Sequence, residues 1–372
     1  MKYYLIAGEA SGDLHGANLM KQLKEVDPAA DFRYWGGDLM EEQGGILVNH
    51  YKTRAFMGFI EVVLNIRTAL RNIAACKKDI AAYRPDAIIF IDYPGFNFPV
   101  MKWAKKQGFS THFYISPQIW AWKENRIKAI KRDVDHMYVI LPFEKTFYEK
   151  KHDYQVHFVG HPLLDAIENR TILSKETFKA QHKLDDRPII ALLPGSRKQE
   201  IAKMLEVMLQ MKDIFKDYQF VVAGAPSQDR EYYEQFFSSE EITLIQNQTY
   251  DLLDHAHAAL VTSGTATLET ALFNVPQVVC YKGSFLSYQI AKRIINLSYI
   301  SLVNLIMDRE VVKELIQTGF NPVQLEQELT LILSGIRRAA ILDDYTTLRE
   351  KLGGAGASAT TAQLIYNSTV KE

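Results

Sequence analysis

The sequence contains 372 residues, a length that predicts two domains because one domain usually spans roughly 100 to 200 residues. Hydrophobic residues make up 47% and charged residues 23%, which is typical of a folded globular protein and excludes a disordered chain. The formal net charge of -1 argues against nucleic-acid binding by the whole protein. The two cysteines offer neither a disulfide framework nor a zinc spacing, and no apolar run approaches the roughly 18 residues of a membrane-spanning helix. We therefore expect a cytoplasmic protein that does not cross a bilayer.

Short apolar runs alternate along the chain with helix-length amphipathic stretches, the pattern of parallel α/β sheets. In the first half, strands are predicted at residues 3–7, 32–35, 46–48, 87–91, 111–115, 136–140 and 156–159. A polar stretch over residues 168–187 separates them from a second series at residues 188–193, 220–223, 242–245, 259–262 and 277–280. Beyond Pro322 the pattern is helical only, with a last helix from about Thr360.

These patterns predict an α/β fold of two doubly wound, Rossmann-like domains, residues 1–170 and 171–372, that face a common cleft. The helical tail of the second domain is expected to pack back on the first domain or on a second subunit. Ligands of doubly wound sheets bind at the carboxyl ends of the strands. The residues that directly follow each strand are therefore the candidate site residues.

The first strand is followed by a small-residue turn, Gly8–Gly16, that opens a helix. Its glycines do not have the spacing of a dinucleotide fingerprint, and Glu9 and Asp13 would repel a pyrophosphate at the helix start. Two interpretations stay open. Either Ser11 or Asp13 caps the helix, or the turn binds a polar, hydroxyl-bearing substrate.

Two loops of the second half suit a phosphate group, because small residues let backbone N–H groups approach an anion. The candidate residues are Gly195, Ser196 and Arg197 in one loop and Ser263, Gly264 and Thr265 in the other. Glu269 follows one helical turn later and is either a solvated helix residue or an acceptor for sugar hydroxyls. No acid stands in the second loop before Glu269. Together the loops predict a nucleotide diphosphate site without a Walker motif.

Asp92 ends the apolar run Ile88–Ile91, so it is expected at the cleft. Partial loss of solvent there raises the pKa of a carboxyl toward the range of a general base. The alternative is that Asp92 caps the helix that starts after Pro94.

Two stretches of the first half are basic and apolar. Residues 102–132 contain eight Lys or Arg against one acid, and residues 60–84 combine basic side chains with more apolar residues than one buried stripe needs. The candidate membrane-facing residues are Val62, Val63, Ile66, Arg67, Leu70 and Arg71. Such a face suits anionic lipid, although basic helices packed on a sheet are the more common case.

Several ordered motifs place the chain beside a known family. They are residues 8–13, 57–62, 91–97, 114–122, 141–145, 160–162, 193–197, 262–266 and 301–306. Over nearly its whole length the chain resembles the lipid-A-disaccharide synthases, bacterial glycosyltransferases of the two-domain GT-B architecture. This resemblance implies transfer of diacylglucosamine from UDP-2,3-diacylglucosamine onto the 6-hydroxyl of 2,3-diacylglucosamine 1-phosphate (lipid X). The products are UDP and a β(1→6)-linked disaccharide 1-phosphate, in the lipid A pathway of Gram-negative bacteria.

The resemblance also implies residue roles. Asp92 is the catalytic acid/base. Glu9, Ser11 and Asp13 match the family's first loop, in which Glu9 and Asp13 are further catalytic candidates and Ser11 is a substrate-binding candidate. Arg197 lies in the donor phosphate region. Asn304 is implied as a sensitive polar residue near the cleft. In two positions the chain departs from the family pattern: glycine stands at Gly95, where relatives often have an acid, and Val303 replaces the usual proline.

The family implies an N-terminal acceptor and catalytic domain, a C-terminal UDP-sugar domain, and no cofactor or metal. It further implies peripheral binding to the anionic inner face of the inner membrane and no nucleic-acid partner. Whether the protein forms a homodimer stays open. Rival functions are a UDP-sugar epimerase, another GT-B transferase and a noncatalytic sugar-nucleotide or lipid-binding module. A nicotinamide dehydrogenase is disfavoured because the glycine fingerprint is absent.

Overall fold

The protein is described here by a computed structural model that covers residues 1–54, 66–168, 170–238, 240–283 and 297–371. The chain divides into two compact units, Met1–Glu168 with Leu352–Glu372, and Asn169–Lys351. Each unit is an α/β domain built on a parallel sheet, which confirms the predicted fold class.

The sheet of the first unit has the strand order β3-β2-β1-β4-β5-β6-β7. Its strands are β1 (Lys2–Ile6), β2 (Asp31–Gly36), β3 (Ile46–His50), β4 (Ala87–Ile91), β5 (Ser110–Tyr114), β6 (His136–Val139) and β7 (His157–Phe158). All five residues of β4 are fully buried, as expected for a central strand of a parallel sheet with both faces covered. Burial of each large apolar side chain in such a strand contributes roughly 1.5–3 kcal/mol.

Helices connect these strands in chain order. They are α1 (Ala10–Val26), α2 (Asp38–Glu42), α3 (Ile66–Tyr83), α4 (Pro94–Lys106), α5 (Ile127–Asp133), α6 (Pro142–Thr146) and α7 (Pro162–Glu168). Short 3-10 turns lie at Tyr51–Arg54 and Glu124–Arg126, and a π-helical turn at Phe147–Lys151.

The sheet of the second unit has the order β10-β9-β8-β11-β12-β13. Its strands are β8 (Ile189–Leu193), β9 (Gln219–Gly224), β10 (Thr243–Gln246), β11 (Ala256–Thr262), β12 (Gln277–Tyr281) and β13 (Lys313–Ile316). The strand β13 pairs with β12 in parallel and was not predicted from the sequence. Its four residues, Lys-Glu-Leu-Ile, carry too little apolar pattern to indicate a strand.

Ten helices of the described residues belong to the second unit or follow it in the chain. They are α8 (Lys175–His182), α9 (Lys198–Met208), α10 (Met211–Ile214), α11 (Arg230–Tyr233), α12 (Thr249–His255), α13 (Thr265–Leu272), α14 (Leu302–Met307), α15 (Pro322–Leu333), α16 (Gly335–Lys351) and α17 (Ala357–Lys371). A 3-10 turn lies at Gln317–Gly319.

The last helix, α17, belongs to the first unit and not to the domain of residues 171–372. The buried carboxylate of Asp165 in α7 accepts hydrogen bonds from the backbone N–H groups of Gly356 at 2.6 Å and Ser358 at 2.8 Å. These bonds satisfy N–H groups at the start of α17 that have no partner inside the helix. Of the two places that the sequence left open for the tail, this chain's first unit is the one it occupies.

Each sheet changes its winding direction at one central strand, a position called the switch point. In the first unit β1 lies between β2 and β4, and in the second unit β8 lies between β9 and β11. The connections on either side of β1, and likewise of β8, therefore run in opposite directions, which opens a crevice in each unit at the carboxyl end of its own central strand. The loops after β1, β4, β8 and β11 are the positions to examine for function.

Candidate functional site

The switch point of the first unit brings Glu9, after β1, beside Asp92, after β4. Both residues are exposed at the sheet edge. The turn between them is close-packed, because a Cβ atom at Gly8 would lie 2.3 Å from the Tyr93 ring. Glycine is therefore required at position 8 for these two loops to meet as they do.

The carboxyl of Asp92 has an unusual pKa. Although the residue reaches solvent, the protein around the strand end desolvates the carboxyl, and this raises its pKa from 3.8 to about 6. The negative charge of Glu9 adds to the rise, while a hydrogen bond with the backbone of Tyr93 opposes it. A carboxyl with this pKa is ionised at neutral pH yet still basic enough to take a proton from a hydroxyl. The geometry suits a general base.

Asp13 does not share this site, contrary to the catalytic role implied for it. Its side chain is only 2% exposed. One carboxylate oxygen accepts hydrogen bonds from the backbone N–H groups of Gly37 at 2.7 Å and Met40 at 3.1 Å, and the other from Leu39 at 3.1 Å. Asp13 therefore caps α2, and both of its carboxylate oxygens are engaged by backbone N–H groups of the protein. Ser11 is exposed in the first turn of α1.

The switch point of the second unit holds a cavity of about 230 Å³. Its polar lining comes from the predicted loops and the helices that follow them: Gly195, Ser196, Glu200, Thr262, Ser263, Gly264, Thr265 and Glu269. The hydroxyl of Thr262 is buried and has no hydrogen-bond partner among the described residues. A buried hydroxyl of this kind is costly unless a ligand or water completes it, which points to an occupied cavity in the working protein.

The loop after β8 has the geometry of an anion site but carries an acid. Gly195 has a φ of 99°, and a Cβ there would lie 2.2 Å from the Glu200 carboxylate. That carboxylate accepts a hydrogen bond from the backbone N–H of Ser196 at 3.3 Å. The N–H of Ser196 is thus engaged by a carboxylate of the protein itself, and Glu200 is an acidic neighbour of this loop that was not identified from the sequence. Phosphate binding at this loop stays a prediction.

The hydroxyl proton of Ser263 is engaged within the protein and is not directed at a ligand. Its hydroxyl donates to the backbone carbonyl of Ile300 at 3.0 Å. The hydroxyl oxygen remains available only as an acceptor. Donors to an anion at this edge must come from backbone N–H groups, from Thr265 and from Thr262.

Glu269 is held by a tyrosine. The hydroxyl of Tyr250 donates to a carboxylate oxygen of Glu269 at 2.8 Å. Burial raises the pKa of Glu269, and the Tyr250 hydrogen bond opposes that rise. Glu269 lines the cavity, and its second carboxylate oxygen can accept hydrogen bonds from the hydroxyls of a sugar.

Arg197 is exposed at the N-cap of α9 and is not among the residues that line the cavity. Its guanidinium forms no hydrogen bond or ion pair with any described residue. An unpaired guanidinium beside a helix start adds positive potential to the edge where backbone N–H groups already favour anions.

Asn304 is not positioned for direct substrate contact. Its side chain is fully buried, and its amide oxygen accepts the N–H groups of Val311 at 2.8 Å and Val312 at 3.0 Å. The amide nitrogen donates to a Glu314 carboxylate oxygen at 2.9 Å. Glu314 in turn accepts the N–H of Ile300 at 3.0 Å. Asn304 therefore supports the backbone on which Ser263 is anchored, and any effect on the cavity is indirect.

The predicted membrane-facing residues lie partly outside the described chain. Val62 and Val63 are outside it, as is the side chain of Ile66. Arg67, Leu70 and Arg71 are exposed on α3, and their spacing of three and four residues puts them on one helix face.

A second exposed group lies near α4 and α5. Trp122 is 44% exposed, with the Lys123 ammonium 4.1 Å from its ring centre. The Arg126 guanidinium lies 5.2 Å from the Phe98 ring centre. Among the described helices, none is long and apolar enough to span a membrane. The described residues also contain no group of three or more His, Cys, Asp or Glu that could hold a metal ion.

Comparison with known proteins decides the family. The model of the lipid-A-disaccharide synthetase family matches residues 3–367. The chain belongs to this family. A lipid-A-disaccharide synthase of Syntrophus aciditrophicus is 40% identical over 362 residues, which cover 95% of this chain and 94% of the relative. One of Coxiella burnetii is 39% identical over 369 residues, with 98% and 97% covered.

Solved structures of other proteins share the family's fold at low identity. The UDP-GlcNAc 2-epimerase of Neisseria meningitidis bound to UDP-GlcNAc has a TM-score of 0.65 at 14% identity, with 100% of each chain covered. The kitacinnamycin glycotransferase has a TM-score of 0.67 at 12% identity, with 98% of each chain covered. At these identities the comparison establishes the fold alone, an arrangement of two parallel-sheet domains found in transferases and epimerases.

Three residues around the cavity of this family member were missed by sequence reasoning: Glu200, Tyr250 and Glu314. The signal for Glu200 was present, because an acid three residues into a helix often caps the turn before it. Tyr250 and Glu314 act on residues 10 to 19 positions away in sequence, so only the folded chain brings each pair together.

Proposed function

We propose that the protein joins UDP-2,3-diacylglucosamine to 2,3-diacylglucosamine 1-phosphate and releases UDP and the β(1→6)-linked disaccharide 1-phosphate. The observation that carries the proposal is the Asp92 carboxyl, with a pKa of about 6, at the switch point of the first sheet. Membership of the lipid-A-disaccharide synthetase family supplies the reaction class, a glycosyl transfer that forms a disaccharide.

The reaction is a single displacement. Asp92 takes the proton of the acceptor's 6-hydroxyl as that oxygen forms a bond to the anomeric carbon of the donor. The bond between the anomeric carbon and the diphosphate oxygen breaks, and UDP leaves with the electron pair. Attack from the face opposite the leaving group inverts the configuration at the anomeric carbon. Glu9 keeps Asp92 basic by opposing a second negative charge beside it.

The donor's UDP occupies the cavity of the second unit. The backbone N–H of Gly264, with the guanidinium of Arg197, stabilises the negative charge that builds on the diphosphate. Glu269 accepts hydrogen bonds from the nucleotide sugar hydroxyls. The unpartnered hydroxyl of Thr262 supports this placement, because a ligand in the cavity completes it.

Replacing the base tests the assignment. Asp92→Asn should reduce kcat by 10²- to 10⁴-fold, the usual contribution of a general base, while the affinity for UDP stays unchanged. Asp86→Asn is the matched control, since Asp86 is an exposed carboxylate that precedes the same strand, β4, at its opposite end. Near-normal turnover of Asp92→Asn would show that another group accepts the proton.

The protein reaches its acylated substrates by docking on anionic lipid through the face of α3 that carries Arg67, Leu70 and Arg71. Exposed basic residues beside an exposed leucine favour binding to such a surface, with roughly 1 kcal/mol for each basic residue near it. Arg67→Glu with Arg71→Glu should abolish salt-sensitive binding to vesicles that contain phosphatidylglycerol. Lys175→Glu with Lys216→Glu changes the net charge equally in the second unit and should leave binding unchanged. Equal loss in both double variants would assign the effect to net charge.

A further inference from the structure

The main chain at the candidate base has an uncommon conformation. Asp92 has a φ of 42° and Tyr93 a φ of 49°, so two successive residues that are not glycine adopt the left-handed region. Such residues are rare, and they persist only where the surrounding structure holds them. This turn sets where the Asp92 carboxyl points, and two sets of contacts hold it.

Asn97 holds the turn by hydrogen bonds to its main chain. Its side chain is fully buried in the first turn of α4. The amide nitrogen donates to the carbonyl of Asp92 at 2.6 Å and lies 3.5 Å from the carbonyl of Ile91. The amide oxygen has no partner among the described residues. The hydrogen bonds of this buried side chain therefore go to the main chain of the candidate base and of the residue before it.

Packing of the Tyr93 ring also holds this turn. The ring of Tyr93 fills the space in which Gly8 has no side chain, since a Cβ there would lie 2.3 Å from it. The ring also stacks on Phe96, with ring centres 5.7 Å apart. Tyr93 is thus packed between the loop after β1 and α4, and this packing together with the Asn97 hydrogen bond favours the left-handed pair.

We propose that Asn97 is a positioning residue for catalysis: its amide fixes the left-handed turn that aims the Asp92 carboxyl. The inference rests on the proposed role of Asp92 as the base. Without the amide, the turn relaxes toward an ordinary φ and the carboxyl leaves the desolvated strand end. Misplacement of a reacting group by about 1 Å commonly costs on the order of 100-fold in rate. A carboxyl that returns to solvent also regains an ordinary, lower pKa.

The test uses the full-length protein with the lipid acceptor and the UDP-linked donor. Asn97→Leu keeps the number and branching of the side-chain heavy atoms and removes the N–H donor, and it should lower kcat about 100-fold with KM for the donor substrate within about 2-fold of wild type. The acid limb of the pH–rate profile should move to lower pH. Thr111→Val is the matched control. Thr111 is the second residue of β5, it is fully buried, and its hydroxyl donates to the Asp133 carbonyl at 2.9 Å. This control should lower the melting temperature and leave kcat and the acid limb unchanged.

Gly8→Ala tests the same turn from β1, because its Cβ must displace the Tyr93 ring, and it should reproduce the loss of kcat and the shifted limb. This variant decides the matter if Asn97→Leu does not fold. Wild-type kcat and an unshifted limb in a folded Asn97→Leu or Gly8→Ala, with Asp92→Asn inactive, would overturn the positioning role and leave the base intact. An active Asp92→Asn would overturn both assignments.

Discussion

The charge of Glu9 should set the pH at which the enzyme becomes active. Asp92 must lose its proton before it can act as a base, so kcat/KM should rise with pH through an acid limb near 6. Glu9→Gln removes a neighbouring negative charge and nearly preserves the side-chain shape. The carboxylate of Asp92 then forms more easily, and the limb should move to lower pH.

The size of the movement follows from the causes of the raised pKa. Burial is the larger cause and Glu9 the smaller one in a rise from 3.8 to about 6. Glu9→Gln should therefore lower the limb by on the order of one pH unit at most, and most of the elevation should remain. Because Glu9 is exposed, the difference between variant and wild type should narrow as ionic strength increases.

The assay is UDP release at limiting substrate between pH 4.5 and 8. The acceptor's phosphate also titrates near pH 6, but it is the same for both enzymes, so the difference between their limbs reports the protein. Glu25→Gln, an exposed glutamate near the other end of α1, is the control and should have the wild-type limb. An unchanged limb in Glu9→Gln would refute the assignment of the limb to Asp92.

Two further predictions concern stability and donor binding. Tyr250→Phe removes the hydrogen bond that lowers the pKa of Glu269, so a larger share of Glu269 is protonated and accepts fewer hydrogen bonds from the sugar. The affinity for UDP, measured by calorimetry, should fall several-fold and recover partly as the pH rises. Burial lowers the pKa values of His15 to about 4 and of His112 and His161 to about 3, so the unfolded chain binds more protons below pH 6.5. Near pH 5 these histidines lower the free energy of unfolding by on the order of 4 kcal/mol for each unit by which the pH falls, and the raised pKa of Asp92, about 6, offsets part of this loss. Urea unfolding should therefore show stability that decreases as the pH is lowered, and His112→Phe should flatten this slope.

Much of the fold and part of the site followed from the sequence. Buried strands of parallel sheets are continuous apolar runs, and their carboxyl ends share one edge, so Asp92, Gly195 and Gly264 could be placed at sheet edges from the order of runs alone. These are local signals in which residue type and position in an element suffice. The strand β13 lacked such a signal and was missed.

The roles of Asp13 and Asn304 could not be read in this way. Asp13 lies just after the turn that follows the first strand, and Asn304 stands in a motif shared with the family, so both resemble site residues in sequence. In the structure their oxygens are occupied by backbone N–H groups, from residues 24 to 27 positions away for Asp13 and 7 to 8 positions away for Asn304. A polar residue that caps a distant helix and one that meets a substrate differ only in tertiary partners. The position of the tail was open for the same reason, because Asp165 and Gly356 meet only after folding.

The central claim is that this chain forms a disaccharide from two acylated monosaccharides with Asp92 as the base. Mass spectrometry of the products, after incubation with UDP-2,3-diacylglucosamine and 2,3-diacylglucosamine 1-phosphate, tests it most directly. Wild type and Asp86→Asn should give equimolar UDP and disaccharide 1-phosphate, and Asp92→Asn should give almost none. Conversion of the UDP-sugar in the absence of acceptor, saturable binding without UDP release, or full product from Asp92→Asn would contradict it.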